Sequence, residues 1–267
     1  MIGIRAQRQK ALSRSAGEGL SATRLLANPV IWVAVLFFAL LFGMPLLEPV
    51  FSWAFPGVSP AVFWRSSFLA LWLSHLGIVA AASLAATLIG VGLAVFATRP
   101  AGRDFRPIVN ALSTIGQTFP PAAVLALAVP ALGFGPRPTI VALFIYGLLP
   151  IIENALAGLD TVPAAVRDAA EGMGLSSWQR LRDVELPLAA PAILAGVRVS
   201  VTIAIGTATI GSTVGALTLG TPIFDGLAGN KLPFVIQGAV LVALFAILTD
   251  MLFARLERQL RVPGMRD

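Results

Sequence analysis

A polar segment between two hydrophobic runs decides the fold of this chain. It reads Asp168-Ala169-Ala170-Glu171-Gly172-Met173-Gly174 and, after nine further residues, Val184-Glu185-Leu186-Pro187. The segment predicts two short helices. In the first, Thr161 is the N-cap, Pro163 lies in the first turn, and Gly172 with Gly174 ends the helix. In the second, Ser176 and Gln179 form a capping box, and Leu186-Pro187 stops the helix.

The first of these helices is amphipathic. Its apolar stripe consists of Val162, Val166, Ala169 and Met173, while Asp168 and Glu171 lie off the stripe. Such a helix is typical of a docking surface for a soluble partner, and an ordinary structured loop would show the same pattern.

The rest of the chain has the composition of a membrane protein. Of its 267 residues 57% are hydrophobic and 12% are charged, and the mean hydropathy is +0.86. Spanning a bilayer core takes about 20 helical residues. Six apolar runs reach that length: 25–47, 66–98, 107–136, 138–159, 199–224 and 232–249. The sequence therefore predicts an all-α, polytopic membrane protein with six transmembrane helices.

The basic residues predict the orientation. Fifteen of the nineteen Lys and Arg residues fall in the two tails, between the second and third helices, or in the polar segment. The positive-inside rule places these segments in the cytoplasm. We therefore expect a multi-pass membrane protein with both termini cytoplasmic. Its net charge of +6 then needs no nucleic-acid partner.

The sequence lacks the residues that several functional classes require. With no cysteine and one histidine, we predict no disulfide, no metal site and no cofactor. Lys10 and Lys231 are the only lysines, and neither precedes Ser or Thr as the phosphate-binding loop of an ATPase requires. If ATP drives transport, a separate subunit hydrolyses it, and this chain is not an enzyme. The first apolar run is too long for a cleavable signal peptide, so we predict none.

The polar segment resembles the cytoplasmic loop motif of permease subunits of binding-protein-dependent ABC importers. Its spacing is matched by Asp168, Ala169, Ala170, Gly174, Val184, Leu186 and Pro187. Asp168 and Val184 depart mildly from the usual Glu and Ile. The resemblance extends over about 71–256. It implies that the protein lies in the bacterial inner membrane and that the segment is the coupling helix that docks on the ATPase, with Asp168 in a capping or polar contact.

The resemblance also implies a division of the chain. Cytoplasmic tails cover 1–29 and 257–267, a peripheral first helix and outer loop cover 30–67, and the five-helix permease core covers 68–256, with the coupling loop at 160–187. The implied partners are ABC ATPase subunits, an extracytoplasmic substrate-binding protein, a second permease subunit that is identical or paralogous, and membrane lipid.

The predicted fifth helix, about 190–216, is rich in small and hydroxyl residues. Such residues allow helices to approach closely in lipid. They form two stripes: Ala204, Ala208, Ser212 and Ala216, beside Thr207, Gly211 and Gly215. The second helix has a similar stripe of Ala82, Ala86, Gly90 and Ala94. Internal packing explains these stripes, and so does a pore lining. On the pore hypothesis the path contains Thr207, Thr209, Gly211, Ser212 and Gly215.

A second resemblance concerns the substrate. The run 206–215, continued through Gly220 and 224–227, resembles the osmoprotectant branch of these permeases, which implies glycine betaine, choline or a related quaternary ammonium compound. We expect 217–226 to be partly re-entrant, because its Gly and Pro would not sustain a lipid-facing helix.

Two other functions are alternatives to an ATP-driven importer. One is a secondary transporter or channel that needs no ATPase, and the other is a non-transporting scaffold.

The polar residues within the predicted helices keep open roles. Glu153 and Asp250 are expected to form structural pairs or to snorkel, with a proton relay as the alternative. For His75 we expect helix packing, with gating or substrate contact as the alternative. Arg198 is expected to snorkel to the inner surface or to pair with a loop carboxylate.

Overall fold

The computed structural model describes residues 28–109, 111 and 119–260, and this part of the chain is helical apart from short connections. Five helical segments are long and apolar enough to cross a membrane: Pro29–Ala54, Phe68–Thr98, Pro136–Asp160, Ser177–Val214 and Leu232–Leu260. Pro121–Leu132 is a shorter apolar helix. The predicted all-α, polytopic membrane fold is confirmed.

The elements follow one another in this order. The first span contains α1 (Pro29–Gly43), a 3-10 turn (Met44–Leu47) and α2 (Glu48–Ala54). Next come α3 (Phe68–Thr98), the shorter α4 (Pro121–Leu132) and α5 (Pro136–Asp160). Two short helices follow, α6 (Ala164–Gly172) and α7 (Ser177–Arg180). A π-helical turn (Leu181–Glu185), α8 (Leu186–Ala208) and a 3-10 segment (Thr209–Val214) continue from α7. The last elements are α9 (Thr221–Ala228) and α10 (Leu232–Leu260).

The predicted third spanning run, 107–136, is interrupted. Phe119 and Pro120 are not helical, and α4 begins directly after them and ends before Gly133, whose φ is +75°. Pro120 is extended because another proline follows it and disfavours the helical conformation at the preceding residue. The hydroxyl of Tyr146 in α5 donates to the carbonyl of Phe119, which fixes this break against α5. Residues 110 and 112–118 of the run lie outside the described part.

Small residues bring α3, α5 and α8 into close contact. A Cβ on Gly90 would lie 2.9 Å from Ile151 Cγ2, and a Cβ on Gly147 would lie 2.6 Å from Ser200 Oγ. In lipid, helices associate through such close packing rather than through the hydrophobic effect. The stripe predicted on the second helix is buried at every position, so it serves internal packing: Ala82, Ala86, Gly90 and Ala94.

The first span lies at the edge of the bundle. Only 17% of its apolar window is buried, against 33% or more in each of the other four spans. It packs through Phe37, whose ring centroid lies 5.8 Å from that of Trp72 in α3 and 5.9 Å from that of Phe245 in α10. The resemblance to the permease family implies a peripheral first helix of this kind.

The helix around Pro187 continues where the sequence predicted a stop. Ser177–Val214 is one helical segment of 38 residues. Proline normally breaks a helix because it lacks an N–H and its ring clashes with the carbonyl four residues earlier. Here that carbonyl belongs to Asp183, inside the π-helical turn, whose wider i→i+5 winding leaves room for the ring. The prediction that Leu186-Pro187 ends the second short helix is therefore wrong.

Candidate functional site

The helix α6 begins later than the sequence predicted. Its N-cap is Pro163, which has φ −60° and ψ 137° and is therefore extended rather than helical. Thr161 instead ends α5, where its hydroxyl donates to the carbonyl of Gly158 at 2.8 Å. The predictions that Thr161 caps α6 and that Pro163 lies in its first turn are wrong, because the extended backbone of Pro163 separates the two helices.

The end of α6 depends on a glycine with a left-handed backbone. Gly174 has φ +82°. Its N–H donates to the carbonyl of Glu171 at 2.8 Å, and the N–H of Leu175 donates to the carbonyl of Ala170 at 3.1 Å. These bonds close the C-terminus of the helix. A side chain at Gly174 would strain the backbone, because L-residues other than glycine rarely adopt this φ.

The helix α7 begins with the predicted capping box. The Gln179 N–H donates to Ser176 Oγ at 3.4 Å, and the Ser176 N–H donates to Gln179 Oε1 at 2.8 Å. Arg180 of α7 forms an ion pair with Glu171 of α6. The two short helices are thus held together across their connecting turn, and we call residues 164–180 the knob.

The knob presents large apolar side chains outward. Met173 is 73% exposed, Trp178 is 66% exposed and Val166 is 38% exposed. Of the predicted apolar stripe, Val162 alone is buried, and it precedes α6. An exposed group of this kind is typical of a surface that another protein covers.

The residues predicted for ATPase docking do not share one surface. Three of them are exposed on the knob: Asp168, Ala169 and Gly174. Ala170 is only 1% exposed, because the side of α6 that carries it packs on the rest of the chain, so it lies within the knob but beneath its outer surface. The other three lie beyond the knob, where Val184 and Leu186 are half-buried and Pro187 is exposed.

The side chain of Asp168 has no partner within the described part of the chain. Neither a hydrogen bond nor an ion pair connects it to another described residue. Pro163 occupies the N-cap position of α6, so Asp168 does not cap this helix. Its carboxylate is therefore free to make the polar contact with a partner that the resemblance implies.

Glu185 is a buried carboxylate at the base of the knob that the sequence analysis did not single out. It is 5% exposed and pairs with Arg99, the C-cap of α3. The pair ties the π-helical turn to the end of α3. Its signal in the sequence was an acidic residue between the apolar positions of the Val-x-Leu-Pro motif.

The second candidate region is the far end of α8, where the helix changes type. The α-helix ends at Ala208, and the following 3-10 segment is closed by Gly215 with φ +87°. A 3-10 helix has three residues per turn. The predicted four-residue stripe through Ser212 and Ala216 therefore does not continue along one face.

The five predicted pathway residues consequently divide between two environments. Gly211 is buried, and a Cβ there would lie 2.5 Å from Thr139 Oγ1 of α5. Ser212 bonds through its hydroxyl with Thr218 at 2.8 Å and with Thr221 at 3.2 Å. Thr207 and Thr209 are half-buried, and Gly215 is exposed. Gly211 and Ser212 thus contribute to packing within this chain.

An open position in this region was missed as a site residue. Gly206 is exposed, and a Cβ built on it would meet no atom of other residues within 4 Å. It shares an exposed face of α8 with Val199 and Ile203, at helical spacing. The sequence could not distinguish it from Gly211, because both are small residues in the same apolar run.

His75 connects three elements. It is fully buried in α3, its Nε2 lies 3.1 Å from the carbonyl oxygen of Ile205 in α8, and its Nδ1 accepts from the N–H of Leu219 at 3.2 Å. The acceptor role of Nδ1 makes Nε2 the protonated nitrogen of a neutral ring. This geometry supports the predicted packing role.

The segment after Gly215 folds back on the bundle. Thr218, Leu219 and Gly220 are buried, and a Cβ on Gly220 would lie 2.4 Å from the carbonyl oxygen of Thr209. The short helix α9 follows and packs on α10, where a Cβ on Gly238 would lie 2.7 Å from Ile223. The re-entrant character of 217–226 stays a prediction.

The charged residues of the spans differ in their surroundings. Arg198 of α8 binds Asp250 of α10 through two bonds of 2.6 and 2.8 Å, and lies 3.5 Å from Glu257. The structural pairing expected for Asp250 is thereby confirmed, and Arg198 pairs with carboxylates of α10 instead of with the predicted loop carboxylate. Glu153 is exposed on α5, and among the described residues no cation lies within ion-pair distance of it.

The fold and these two regions define a class of membrane protein. The family model described as "Binding-protein-dependent transport system inner membrane component" matches residues 86–262. The chain belongs to this family. It is therefore a multi-pass component of the inner membrane that works with a binding protein.

Individual relatives show which permeases and which solved structure the chain is similar to. The chain is 41% identical over 215 residues to the osmoprotectant import permease protein OsmY of Salmonella typhimurium strain LT2, covering 80% of this chain and 91% of that protein. It is 40% identical to the choline transport system permease protein OpuBB of Bacillus subtilis strain 168, over 72% of this chain and 88% of that protein. Among solved structures it resembles the inward-facing MetNI methionine ABC transporter, with TM-score 0.64, 22% identity, and coverage of 71% and 94%. That structure supports the fold alone.

Proposed function

We propose that this chain is the permease subunit of an ATP-driven importer that moves a small quaternary ammonium osmoprotectant, such as glycine betaine or choline. One observation carries the substrate class, the 41% identity to an osmoprotectant import permease over 80% of the chain. In this proposal a separate ATPase subunit hydrolyses ATP, a binding protein delivers the solute, and a second permease completes the pathway.

The geometry of the described residues supports a coupling mechanism. The knob contains α7, and α7 continues without a break through α8 to the 3-10 segment at the far end. At about 1.5 Å per residue, this 38-residue helical segment extends over roughly 57 Å. A displacement of the knob by an ATPase would therefore move the region around Gly206 and Thr209 directly.

The proposed docking surface combines exposed apolar and polar groups. Met173, Trp178 and Val166 would fill a groove on the ATPase, and the unpartnered carboxylate of Asp168 would accept hydrogen bonds there. Aromatic and methionine side chains are enriched at protein interfaces, and tryptophan is among the residues that contribute most to binding energy there. In this proposal Ala170 and Glu185 lie buried beneath the docking surface and hold the knob on the bundle.

Uptake into vesicles tests the function. The purified importer is reconstituted with ATP inside the vesicles and with the binding protein and radiolabelled glycine betaine outside. We expect solute to accumulate only when ATP and the binding protein are both present. Accumulation driven by a proton or sodium gradient without ATP would instead identify a secondary transporter.

We also propose that both termini and the knob are cytoplasmic. The support is the positive-inside rule, which fifteen of the nineteen basic residues follow. Reporter enzymes fused near Arg103, Ser176 and Arg261 should be active inside the cell, and a reporter near Gly57 should be active outside. An external signal at Ser176 would contradict both the orientation and the docking proposal.

A further inference from the structure

A cleft of about 220 Å³ opens where α3 and α5 end. Four arginines line it, together with two carboxylates: Arg99, Arg103, Arg106, Arg167, Asp160 and Glu185. The cleft therefore has an excess of two positive charges. Neither coupling nor solute passage, as proposed above, requires that excess.

Two of the arginines have carboxylate partners and two do not. Arg99 pairs with Glu185, and Arg106 binds Asp160 through two bonds. The carboxylate of Asp160, which accepts these bonds, raises the pKa of Arg106, which stays charged. Arg167 donates to the backbone carbonyl of Val162 at 2.9 Å.

Arg103 is the fourth arginine that lines the cleft. It is exposed, and no carboxylate of the described residues lies within 4.0 Å of it. Arg103 and Arg167 therefore supply the uncompensated charge. The buried Nε–H of Arg99 also lacks an acceptor in the part of the chain that the structure describes.

The chemistry and the position of the cleft favour a phosphate group. Guanidinium groups bind phosphate oxygens through paired N–H donors, and several converge here on one space. The cleft is lined by Thr98 and Asp160, the last residues of α3 and α5, so it lies at the level of the lipid headgroups. Basic clefts at this level on the cytoplasmic side bind anionic headgroups.

Helix stabilisation explains only part of the cluster. Arginines near helix C-termini interact favourably with the helix dipole. This accounts for Arg99, at the end of α3, and for Arg106, which holds Asp160 at the end of α5. It does not account for Arg167, which lies in the middle of α6 and turns toward the same cleft.

We propose that this cleft binds the phosphodiester headgroup of an anionic phospholipid of the inner leaflet, with Arg103 and Arg167 as its principal ligands. The assignment to the inner leaflet depends on the orientation proposed above. Arg167 belongs to the knob and Glu185 to its base, so a bound headgroup would hold the knob against the ends of α3 and α5.

The test measures lipid binding to the assembled importer. Native mass spectrometry counts the phosphatidylglycerol molecules retained when the complex is released from nanodiscs of phosphatidylcholine and phosphatidylglycerol. We expect the double variant Arg103→Gln, Arg167→Gln to retain at least fivefold less phosphatidylglycerol. The matched control, Arg182→Gln with Arg258→Gln, removes the same charge from exposed arginines outside the cleft and should retain the wild-type amount.

Four outcomes overturn the proposal. Equal losses in the two double variants would indicate unspecific attraction to basic surface, and wild-type retention in the cleft variant would exclude the site. Displacement of the lipid by millimolar inorganic phosphate would make a free anion the ligand. Lipid retention only after the ATPase is removed would mean that the ATPase, and not lipid, occupies the cleft in the assembled importer.

If the double variant does not assemble, the single variant Arg103→Gln replaces it, because Arg103 lies outside the knob. Because no transport is measured, failure here leaves the proposed function untouched.

Discussion

Replacing Gly174 by valine is expected to reduce uptake of a labelled quaternary ammonium solute at least tenfold, with membrane insertion nearly normal. Gly174 has φ +82°, and a Cβ there would meet no other atom within 4 Å. The cost is therefore backbone strain, about 1–2 kcal/mol for a left-handed residue. The chain can relieve that strain by changing the turn, which would displace Met173 and Trp178. Whole-cell uptake, normalised to inserted protein, gives the result.

Two further variants isolate the backbone effect. Asparagine tolerates the left-handed conformation better than other side chains, so Gly174→Asn should retain most of the uptake. Gly172→Val adds the same side chain two residues earlier, at a position that also has open space and lacks a positive φ. Wild-type transport by Gly174→Val would mean that the turn geometry is not required for coupling.

Gly206→Leu is expected to lower uptake at least tenfold while the ATPase and the binding protein still associate. The added side chain would project from the exposed face of α8, and apart from the adjacent backbone of α8 its Cβ would meet no atom within 4 Å. If that face lines the pathway, the leucine narrows it without disturbing the fold. Uptake and co-purification of the partners are measured on the same membranes.

The controls for this prediction use two other glycines. Gly77 of α3 is also exposed with open space, beside exposed Leu73 and Leu76, so Gly77→Leu should be tolerated where lipid tails cover it. Gly211→Leu should instead reduce the amount of folded protein, because its Cβ would lie 2.5 Å from Thr139 Oγ1. Wild-type uptake by Gly206→Leu would place this face outside the pathway.

Much of the fold could be predicted from periodicity and spacing. Apolar length identified five of the six predicted spans, while the run 107–136 contains only the shorter α4 among the described residues. The capping box at Ser176 and Gln179 located α7. The prediction that Gly174 takes part in ending the first short helix agrees with its φ of +82° at the end of α6. These features depend on residues close in sequence, so local rules suffice for them.

The sequence-based predictions failed where the structure depends on contacts between residues distant in sequence, or on changes of helix type. A π-helical turn carries the chain past Pro187, and nothing in the local composition signals it. The 3-10 segment after Ala208 breaks the pathway stripe, because it folds against Thr139 and Thr218. The partner of Asp250 is Arg198, 52 residues earlier, which only the packing of α8 on α10 brings near.

Cross-linking of single cysteines tests the central claim, that the knob is the surface on which the ATPase docks. The chain has no cysteine, so each introduced thiol is the only one in the permease. Met173 and Trp53 are 73% and 84% exposed, and they lie on the knob and on α2. With a photoreactive thiol reagent, Met173→Cys should cross-link to the ATPase in the assembled importer and Trp53→Cys should not. A cross-link from Trp53→Cys, or none from Met173→Cys in an intact complex, would contradict the account.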